Sequence, residues 1–443
     1  MLKNPKNNIG YNNNREKSSN FACVMMRKLL LFLLLCVSFS AKAAHPVGYG
    51  TVIGEWTGTW ATAMQTPVKY FMPYNNQMSD RSVRQIVKVS AGGRVIRLML
   101  SNIYSAQPVV LRSVYIAHSI DSFRIDPKTA RYLKFSGKDG VVIPAGKSLF
   151  SDPIAFDLKP LEQVAITLNY ETAPKSPTVH MGSRTTSYIL KGVSTPETDF
   201  TNAFRYEKWF NIATLEVLAN NVRGIAIIGN SITDGKGSTT DHQNRWPDEM
   251  SYWLNGPYRQ KEEEKAKAEN RKTVPMQWGV LNLGIGNNRV LTYSGYGEAA
   301  KKRFDRDILE QHGISDVVIF EGINDLGTSG YGTVTAYNLI MEYRTMIEKC
   351  HKAHKKVYLA TITPIRGSGY YSANHEEGRR IVNAWIRTQK VADGYLDFDA
   401  LMRDPKQPTA IRKGLCLSDH LHPNAAGYRE MGRYAADYFI KTR

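Results

Sequence analysis

The sequence is poor in cysteine and lacks any long apolar run, and each shortage excludes a class of protein. It has only four cysteines, and no two of them form a Cys-x-x-Cys pair. Without such pairs, and without a cluster of histidines and cysteines, a structural zinc site is not expected. No apolar stretch reaches the length that a membrane-spanning helix requires, so a span in the mature protein is not expected.

The longest apolar stretch instead has the pattern of an export signal. Within residues 25–44, basic Arg27 and Lys28 precede the apolar run Leu29–Phe39, and Ala41 and Ala43 supply the small residues of a cleavage site. This pattern is typical of a secretory signal peptide. Residues 1–43 are therefore predicted to be a leader, and the mature protein is expected in the periplasm or outside the cell. The polar residues 1–24 leave open whether translation begins at Met1 or at Met25 or Met26.

Removal of that leader would leave two of the four cysteines. Cys23 and Cys36 lie within it, whereas Cys350 and Cys416 belong to the mature chain. In an oxidising compartment these two thiols could pair. The alternative, two separate buried thiols, is equally compatible with the sequence.

Acidic residues are outnumbered by basic ones, 40 to 58, which gives a formal charge of +18. Residues 1–43 contain seven basic residues and one acidic residue, so 51 and 39 remain, a net charge of +12. Such a balance suits nucleic acid, an acidic polysaccharide or an anionic surface. No nucleic-acid-binding motif accompanies it, so nucleic acid is not an expected partner. The densest charge run, residues 261–267, mixes both signs and is predicted to be a solvated insertion.

The length of 443 residues favours two domains, and the residue pattern changes between the two halves. In residues 44–215 apolar residues alternate with others, as in Ile96, Leu98 and Leu100, which is typical of strands with one buried face. Ala91-Gly92-Gly93 predicts a hairpin turn, and Pro144-Ala145-Gly146 separates another pair of strands. This half is predicted to be an accessory β-sandwich domain.

Residues 220–443 have the pattern of a mainly parallel sheet covered by helices. Short apolar runs alternate with helix-like segments, and a run of this kind predicts a buried parallel strand. This half is predicted to be an α/β domain with a flavodoxin-like three-layer α/β/α fold, whose reactive groups gather at the carboxyl ends of the strands. The predicted strands are Arg223–Gly229, Trp278–Leu283, Val317–Phe320, Val357–Ile362 and Tyr395–Phe398; the predicted helices are residues 298–310, 333–354, 374–391 and 424–441.

Four segments at the ends of these elements carry the candidate chemistry. Ser231 directly follows the first strand, where a serine can act as a nucleophile. Asn324 follows the third strand and could donate its side-chain amide to an oxyanion. Asp419 and His422 lie three apart on one loop, a spacing that lets the carboxylate orient the imidazole as a base. His420 is an alternative base, but its place next to Asp419 makes it harder to orient.

Together these segments resemble the SGNH (GDSL-like) hydrolase family. The Ser231 segment, the glycine-containing segment 282–288, the Gly-Ile-Asn-Asp segment and the terminal Asp-x-x-His segment occur in the family's order across residues 225–427. The resemblance implies a triad of Ser231, His422 and Asp419. It also implies an oxyanion hole made of the amides of Ser231 and Gly286 or Asn287 with the Asn324 side chain. No metal or cofactor is required.

Two positions depart from the family's pattern. Asn230 stands where the family has aspartate, but that position is neither nucleophile nor base. The family's oxyanion glycine aligns best with Asn287, next to Gly286, and the choice between these two backbone donors stays open.

A finer resemblance concerns the whole arrangement of the chain. A sandwich followed by the hydrolase segments, with RQIVKVSAGG, RLMLSN, RWPDEM and VNAWIR, is similar to a bacterial subfamily of acetyl xylan esterase-like enzymes. It implies an exported serine esterase that removes short acyl groups, chiefly acetyl, from a polysaccharide or oligosaccharide. Four tyrosines in loop-like stretches are candidates for stacking on sugar rings: Tyr293, Tyr296, Tyr370 and Tyr371.

Three other functions compete with this interpretation. A general short-chain esterase or lipase would use the same triad, although no long apolar lid segment is visible. A non-catalytic carbohydrate-binding protein is disfavoured because all four catalytic residue types are present. A nucleotide-binding loop is disfavoured because the segment from Gly235 to Thr239 does not match the pattern G-x-x-x-x-G-K-[ST].

Overall fold

The computed structural model describes residues 54–68, 71–272 and 275–442. The predicted leader and its signal peptide, residues 1–43, lie outside these ranges. All the described residues belong to one compact unit. Among their helices, none combines the length and the apolar character needed to cross a membrane.

The first half of the chain consists of antiparallel strands, here named β1 to β15. They are Glu55–Ala61, Arg81–Lys88, Gly93–Ser101, Val109–Asp121, Arg124–Ile125, Arg131–Leu133, Val141–Ile143, Ser148–Phe150, Ile154–Leu158, Gln163–Thr172, Val179–His180, Ser187–Lys191, Phe204–Tyr206, Trp209–Phe210 and Ile212–Ala219. Short 3₁₀ turns at Pro73–Asn76 and Pro127–Thr129 are the only helical elements in the described part of this half.

These strands form two main sheets that enclose one core. One sheet has the order β1-β15-β3-β8, with β9 also on β3; the other has the order β13-β12-β2-β10-β4-β5, with β6 and β7 on β4. The apolar residues of β3 and of β10 lie in the same cluster, including Ile96, Leu98 and Leu100 from the first and Val164, Ile166 and Leu168 from the second. Because alternate residues of both sheets point into this cluster, the half is β-rich with its core between the sheets, as the period of two predicts.

The hairpin predicted at Ala91-Gly92-Gly93 is wrong. Strands β2 and β3 belong to different sheets, so the segment between them crosses from one sheet to the other. Polar groups of this segment form hydrogen bonds with Thr59 of β1. The backbone N–H of Ser90 donates to the Thr59 carbonyl, and the Thr59 hydroxyl donates to the Ala91 carbonyl. Gly92 is needed because a Cβ there would collide with the Leu158 carbonyl. The glycines therefore permit a close crossing rather than a reversal. Pro144–Gly146 likewise connects strands of different sheets.

The second half is built on a parallel sheet of five strands, β16 to β20. They are Val222–Gly229, Gln277–Gly284, Ile314–Phe320, Lys356–Ala360 and Gly394–Leu396, in the spatial order β17-β16-β18-β19-β20. The helices between and after them, named α1 to α9, are Ser231–Asp234, Trp246–Asn255, Pro257–Ala268, Ala300–Phe304, Ile323–Gly327, Gly332–Lys352, Ala373–Thr388, Phe398–Met402 and Ala425–Lys441.

Helices pack against this sheet through two separate apolar clusters. Ala226 and Ile228 of β16 join one cluster with α4, α6 and α7. Ile225 and Ile227 of the same strand join the other cluster with α2, α8 and α9. Strand side chains alternate between the two faces, so both faces of the sheet are covered by apolar contacts, which explains the nearly continuous apolar runs in the sequence.

The charged run 261–267, predicted to be a solvated insertion, lies in α3. Only Ala266 of this helix is buried. The mixed charges therefore occupy the solvent-facing sides of a helix, where Arg259 and Glu263 form an ion pair one turn apart.

The two remaining cysteines are free thiols. Cys350 is buried on α6, and burial raises the pKa of its thiol to about 12. Cys416 lies on the loop before α9 and is partly exposed. The structure therefore agrees with two separate thiols rather than with a disulfide.

The β-rich half and the α/β half contact each other closely along β1 and β17. The Val280 amide donates to the Ser90 hydroxyl over 2.9 Å, and the Gly92 amide donates to the Gln277 side chain over 2.7 Å. Gly58 of β1 packs so closely against Leu281 that a Cβ there would force the leucine side chain to shift. This contact holds residues of the β-rich half beside the carboxyl ends of the parallel strands.

Candidate active site

Ser231 begins a short helix at the carboxyl end of the central strand β16. The preceding Asn230 is the N-cap of this helix, because its side-chain oxygen accepts from the Ile232 amide over 3.0 Å. Asparagine and aspartate are equally good caps, which explains why asparagine can stand where the family has aspartate. Ser231 is nearly buried, and its Oγ lies 2.8 Å from Nε2 of His422.

His422 is held by the loop that precedes α9. Its Nδ1 lies 2.7 Å from Oδ2 of Asp419. The other carboxylate oxygen of Asp419 accepts from the backbone amides of Leu421 and His422, each over 3.0 Å. With Nδ1 donating to the carboxylate, Nε2 is left to accept a proton from Ser231, which is the geometry of a serine hydrolase triad.

The pKa shifts of this pair suit those roles. Burial lowers the pKa of His422, and this effect outweighs the opposing effect of the Asp419 carboxylate; Lys236 and Arg184 lower it further. Burial alone would raise the pKa of Asp419, but hydrogen bonds from His422 and Leu421 outweigh it and lower that pKa. A neutral imidazole beside an ionised carboxylate can act as a general base.

His420, the alternative base, is exposed, and its ring lies beside Gly367. Its backbone has a positive φ of 54°, and its amide donates to the Leu417 carbonyl. The structure thus brings Ser231 together with His422 and not with His420.

The segment after β17 lies beside Ser231. The Ile285 amide donates to the Gly229 carbonyl over 2.9 Å, which ties this segment to the end of β16. Gly286 and Asn287 both line the cavity in front of Ser231. Asn287 has a φ of 57°, a left-handed conformation that asparagine tolerates better than most residues. Asparagine can therefore occupy the position at which the family has glycine.

Asn324 reaches the same cavity from the start of α5. Its side-chain amide donates to the Asn288 carbonyl over 2.8 Å, and its side-chain oxygen accepts from the Tyr370 hydroxyl over 3.0 Å. The Asn288 carbonyl can only accept, so this contact fixes which end of the amide is the nitrogen, and the Tyr370 hydroxyl then donates to the oxygen. The second hydrogen of that nitrogen is left for another acceptor.

An arginine that the sequence did not single out joins the strand ends beneath the site. Arg303 is fully buried, and it donates to the carbonyls of Leu283 and Gly229 and to the side chain of Asn288. Its charge is balanced by Asp307 at 3.0 Å. In the sequence it follows Lys301 and Lys302 and resembles an exposed basic run, so no local signal distinguishes it.

The cavity in front of Ser231 has a volume of about 410 Å³ and is lined by both halves of the chain. The β-rich half contributes residues that the sequence did not indicate: Gln65, Phe71, Met181, Gly182, Arg184 and Lys208. Gln65 donates to the Tyr296 carbonyl across the two halves. No local pattern marks these residues, because packing of the two halves brings them to the site.

The four candidate tyrosines are placed differently. Tyr296 and Tyr370 line the cavity, whereas Tyr293 and Tyr371 do not. Tyr293 is 64% exposed, and the Tyr371 ring faces the Arg366 guanidinium at 5.4 Å.

Asp234, at the end of α1, connects the nucleophile segment to the β-rich half. Its Oδ1 lies 2.9 Å from Nε2 of His180, and both side chains are buried. The other ring nitrogen of His180 lies 2.8 Å from the Ala63 carbonyl. Gly182 packs directly on the Asp234 carboxylate, where any Cβ would collide with it.

Within the described ranges, no group of three or more histidine, cysteine, aspartate or glutamate residues is arranged to hold a metal ion.

Comparison with known proteins agrees with this geometry. Residues 227–430 match the model of the GDSL-like lipase/acylhydrolase family. Among curated proteins, no significant match to the chain is found.

Several solved structures are similar at low identity. A carbohydrate acetylesterase from Sinorhizobium meliloti is 13% identical, with a TM-score of 0.37 over 50% of this chain and 100% of that one. An acetyl xylan esterase is 20% identical, with a TM-score of 0.32 over 48% and 98%. A protein from Bacillus subtilis is 15% identical, with a TM-score of 0.35, and the match covers 81% of this chain and 80% of the other.

Proposed function

We propose that this chain, whose residues 227–430 belong to the SGNH (GDSL-like) hydrolase family, is an exported serine esterase that removes short acyl groups from polysaccharide. Family membership makes it an ester hydrolase. The observation that carries the proposed mechanism is the series of hydrogen bonds from Asp419 through His422 to Ser231 at the wall of the cavity.

In the proposed reaction Ser231 Oγ attacks the ester carbonyl, and His422 Nε2 takes the serine proton. The negative charge that develops on the carbonyl oxygen is stabilised by the amides of Ser231 and Gly286 or Asn287 and by the Asn324 side chain. When the C–O bond breaks, His422 gives its proton to the leaving alcohol and an acyl-serine remains. Water then attacks this ester, again with His422 as base, and releases the acid and free Ser231.

The kinds of side chain that line the cavity favour a short acyl group. Its lining includes only three wholly apolar side chains, Phe71, Met181 and Leu421. A long acyl chain gains roughly 0.8 kcal/mol for each methylene that it buries in apolar surroundings. Most of the other lining side chains are polar or charged, so we expect binding not to improve steadily with chain length.

Acetate release from acetylated polysaccharides, followed with purified mature protein, tests the substrate class. We expect release from at least one acetylated plant-type glycan, and nitrophenyl esters of two, four, eight and twelve carbons should show the shorter chains favoured. Rates that rise steadily to twelve carbons, with no acetate released from any acetylated glycan, would instead indicate a general esterase or lipase. The Ser231→Ala variant is the control.

Export is part of the proposal and rests on the pattern of residues 25–44. The mature chain should begin near Ala44 or His45, which amino-terminal sequencing of secreted protein would test. Recovery of secreted protein that retains Leu29–Phe39 would contradict it.

We also propose a flavodoxin-like three-layer arrangement for the hydrolase half. The strand order and the two apolar clusters on opposite faces of the sheet support it.

A further inference from the structure

Three basic side chains surround the cavity in front of Ser231: Arg184, Lys208 and Lys236, here called the cation cluster. The carboxylate of Asp234 also lines this cavity. One of its oxygens lies 2.9 Å from His180, and the other lies 3.7 Å from Arg184. A single carboxylate that already contacts His180 does not balance three cations, so the cavity carries an excess of positive charge.

Lys208 is the most informative member of the cluster. It is 9% exposed, and its Nζ lies 3.5 Å from the Met181 carbonyl and 4.9 Å from the Tyr206 ring centre. Burial, with a smaller effect of Arg184, lowers its pKa to about 8. The Glu207 carboxylate raises this pKa, but by less than burial and Arg184 lower it. The cost of burying this ammonium is therefore offset only in part by a carboxylate, and an anionic ligand would reduce the remaining cost.

Arg184 is held in place by the hydrolase half. Asp241 accepts from the amide and the hydroxyl of Thr186, Gln243 donates to the Thr185 hydroxyl, and Arg245 donates to the Ser183 carbonyl. Between these contacts Arg184 has a left-handed φ of 50°, which residues other than glycine seldom adopt. The backbone of this loop is therefore fixed before any ligand arrives, and Arg184 lines the cavity from it.

The cluster also acts on the triad. Lys236 follows Gly235 at the end of α1, on the same segment as Ser231. Both Lys236 and Arg184 contribute to the lowered pKa of His422. The cations thus lie within electrostatic range of the group that takes the serine proton, on the side from which a substrate must approach.

We propose that the cation cluster binds an anionic group of the glycan, a uronate carboxylate or a sugar sulfate, close to the acylated sugar. This inference rests on the proposed function and narrows its substrate class to acylated acidic polysaccharides. An arginine fork and two ammonium groups match the oxygens of either anion. A neutral glycan such as unsubstituted acetylated xylan would bring no anionic partner to Lys208.

The test compares charged and neutral forms of one acetylated glycan. Acetylated polygalacturonate is assayed beside its fully methyl-esterified form, and an acetylated sulfated glycan beside its desulfated form. For the wild-type protein at low salt we expect kcat/KM to be about tenfold higher on a charged form, since hydrogen bonds to charged groups contribute on this scale. The preference should fall as salt is raised to about 1 M, where screening shortens to about 3 Å. Which charged form is favoured identifies the anion.

Variants then assign the preference to the cluster. Arg184→Gln, Lys208→Met and Lys236→Met should each lower the charged-to-neutral ratio severalfold, whereas Arg184→Lys should keep most of it. Lys390→Gln, at an exposed lysine away from the cavity, is the matched control and should leave the ratio unchanged. Thermal unfolding of each variant identifies any that fails to fold. If Lys208→Met fails to fold, Arg184→Lys and Lys236→Met still test the charged-to-neutral ratio.

A second readout separates an electrostatic role from a structural one. Because Arg184 lowers the pKa of His422, Arg184→Gln should move the acidic limb of the kcat/KM profile for nitrophenyl acetate to higher pH, and Arg184→Lys should not. Equal rates on charged and neutral glycans, or a ratio unaffected by all three substitutions, would overturn the inference. If nitrophenyl acetate is hydrolysed but no charge preference exists, only this inference fails. If the wild-type protein hydrolyses no ester, the proposed function fails as well.

Discussion

Replacing Tyr370 with phenylalanine should test how the oxyanion amide is oriented. The substitution keeps the ring, which packs against Gly327, and removes the hydroxyl that donates to the Asn324 side-chain oxygen over 3.0 Å. The hydrogen bond from the Asn324 nitrogen to the Asn288 carbonyl at 2.8 Å remains, so the amide keeps part of its preference for the present orientation. A neutral hydrogen bond contributes about 1 kcal/mol, so kcat for nitrophenyl acetate should fall about fivefold.

A double-mutant cycle shows whether Tyr370 acts through Asn324. Asn324→Ala should lower kcat by about 10²–10³, the usual cost of removing an oxyanion donor. Adding Tyr370→Phe to this variant should then change little, because no amide is left to orient. Tyr337→Phe removes an exposed hydroxyl on α6 and serves as the matched control. An equal fivefold loss in both backgrounds, or no loss in either, would refute the positioning role.

Three further predictions concern pH and stability. Burial raises the pKa of Asp325 from 3.8 to about 6, although hydrogen bonds from the backbone amides of Val290 and Leu291 act to lower it. The folded chain therefore holds this proton more tightly than the unfolded chain, and stability should fall as pH rises from about 4 to about 6, by on the order of 3 kcal/mol; thermal unfolding of Asp325→Asn against pH should lack that part of the slope. His422 must be neutral to act as a base and its pKa is lowered, so kcat/KM should persist at pH values below 6.5. An acidic limb of the kcat/KM profile above pH 6.5 would contradict this lowered pKa. Asp419→Asn should lower kcat about 10⁴-fold. Arg245→Met should lower the free energy of unfolding by about 3 kcal/mol because Asp248 loses its buried partner. Arg380→Met removes an exposed ion pair and should change the free energy of unfolding by less than about 1 kcal/mol. Equal effects of the two substitutions would argue against a stabilising role of the Arg245–Asp248 pair.

The candidate catalytic segments could be located from the sequence because each is local. Ser231 follows a buried strand directly, and Asp419 and His422 share one loop, so strand-end position and short spacing are enough to bring their functional groups to one edge of the sheet. The capping role of Asn230 was not foreseen, although N-cap chemistry explains it.

Features that depend on packing between distant segments could not be predicted. The period of two identified β2 and β3 as strands, but it carries no information on which sheet each joins, and the glycines between them suggested a turn. Arg184 and Lys208 reach the cavity only because the β-rich half packs beside the strand ends. Arg303 is buried by contacts with the carbonyls of Gly229 and Leu283 and with the Asn288 side chain, which lie on two segments distant from it in the sequence.

Labelling with a fluorophosphonate is the most direct test of the claim that Ser231 is the nucleophile. Such a reagent forms a stable bond to the oxygen of an activated serine as fluoride leaves, and mass spectrometry locates the adduct. We predict one adduct per chain, on the peptide containing Ser231, with esterase activity lost in proportion; the Ser231→Ala protein should remain unlabelled and hydrolyse nitrophenyl acetate at least about 10⁴-fold more slowly. Near-normal hydrolysis by folded Ser231→Ala protein, or activity lost through an adduct on another serine, would contradict the account.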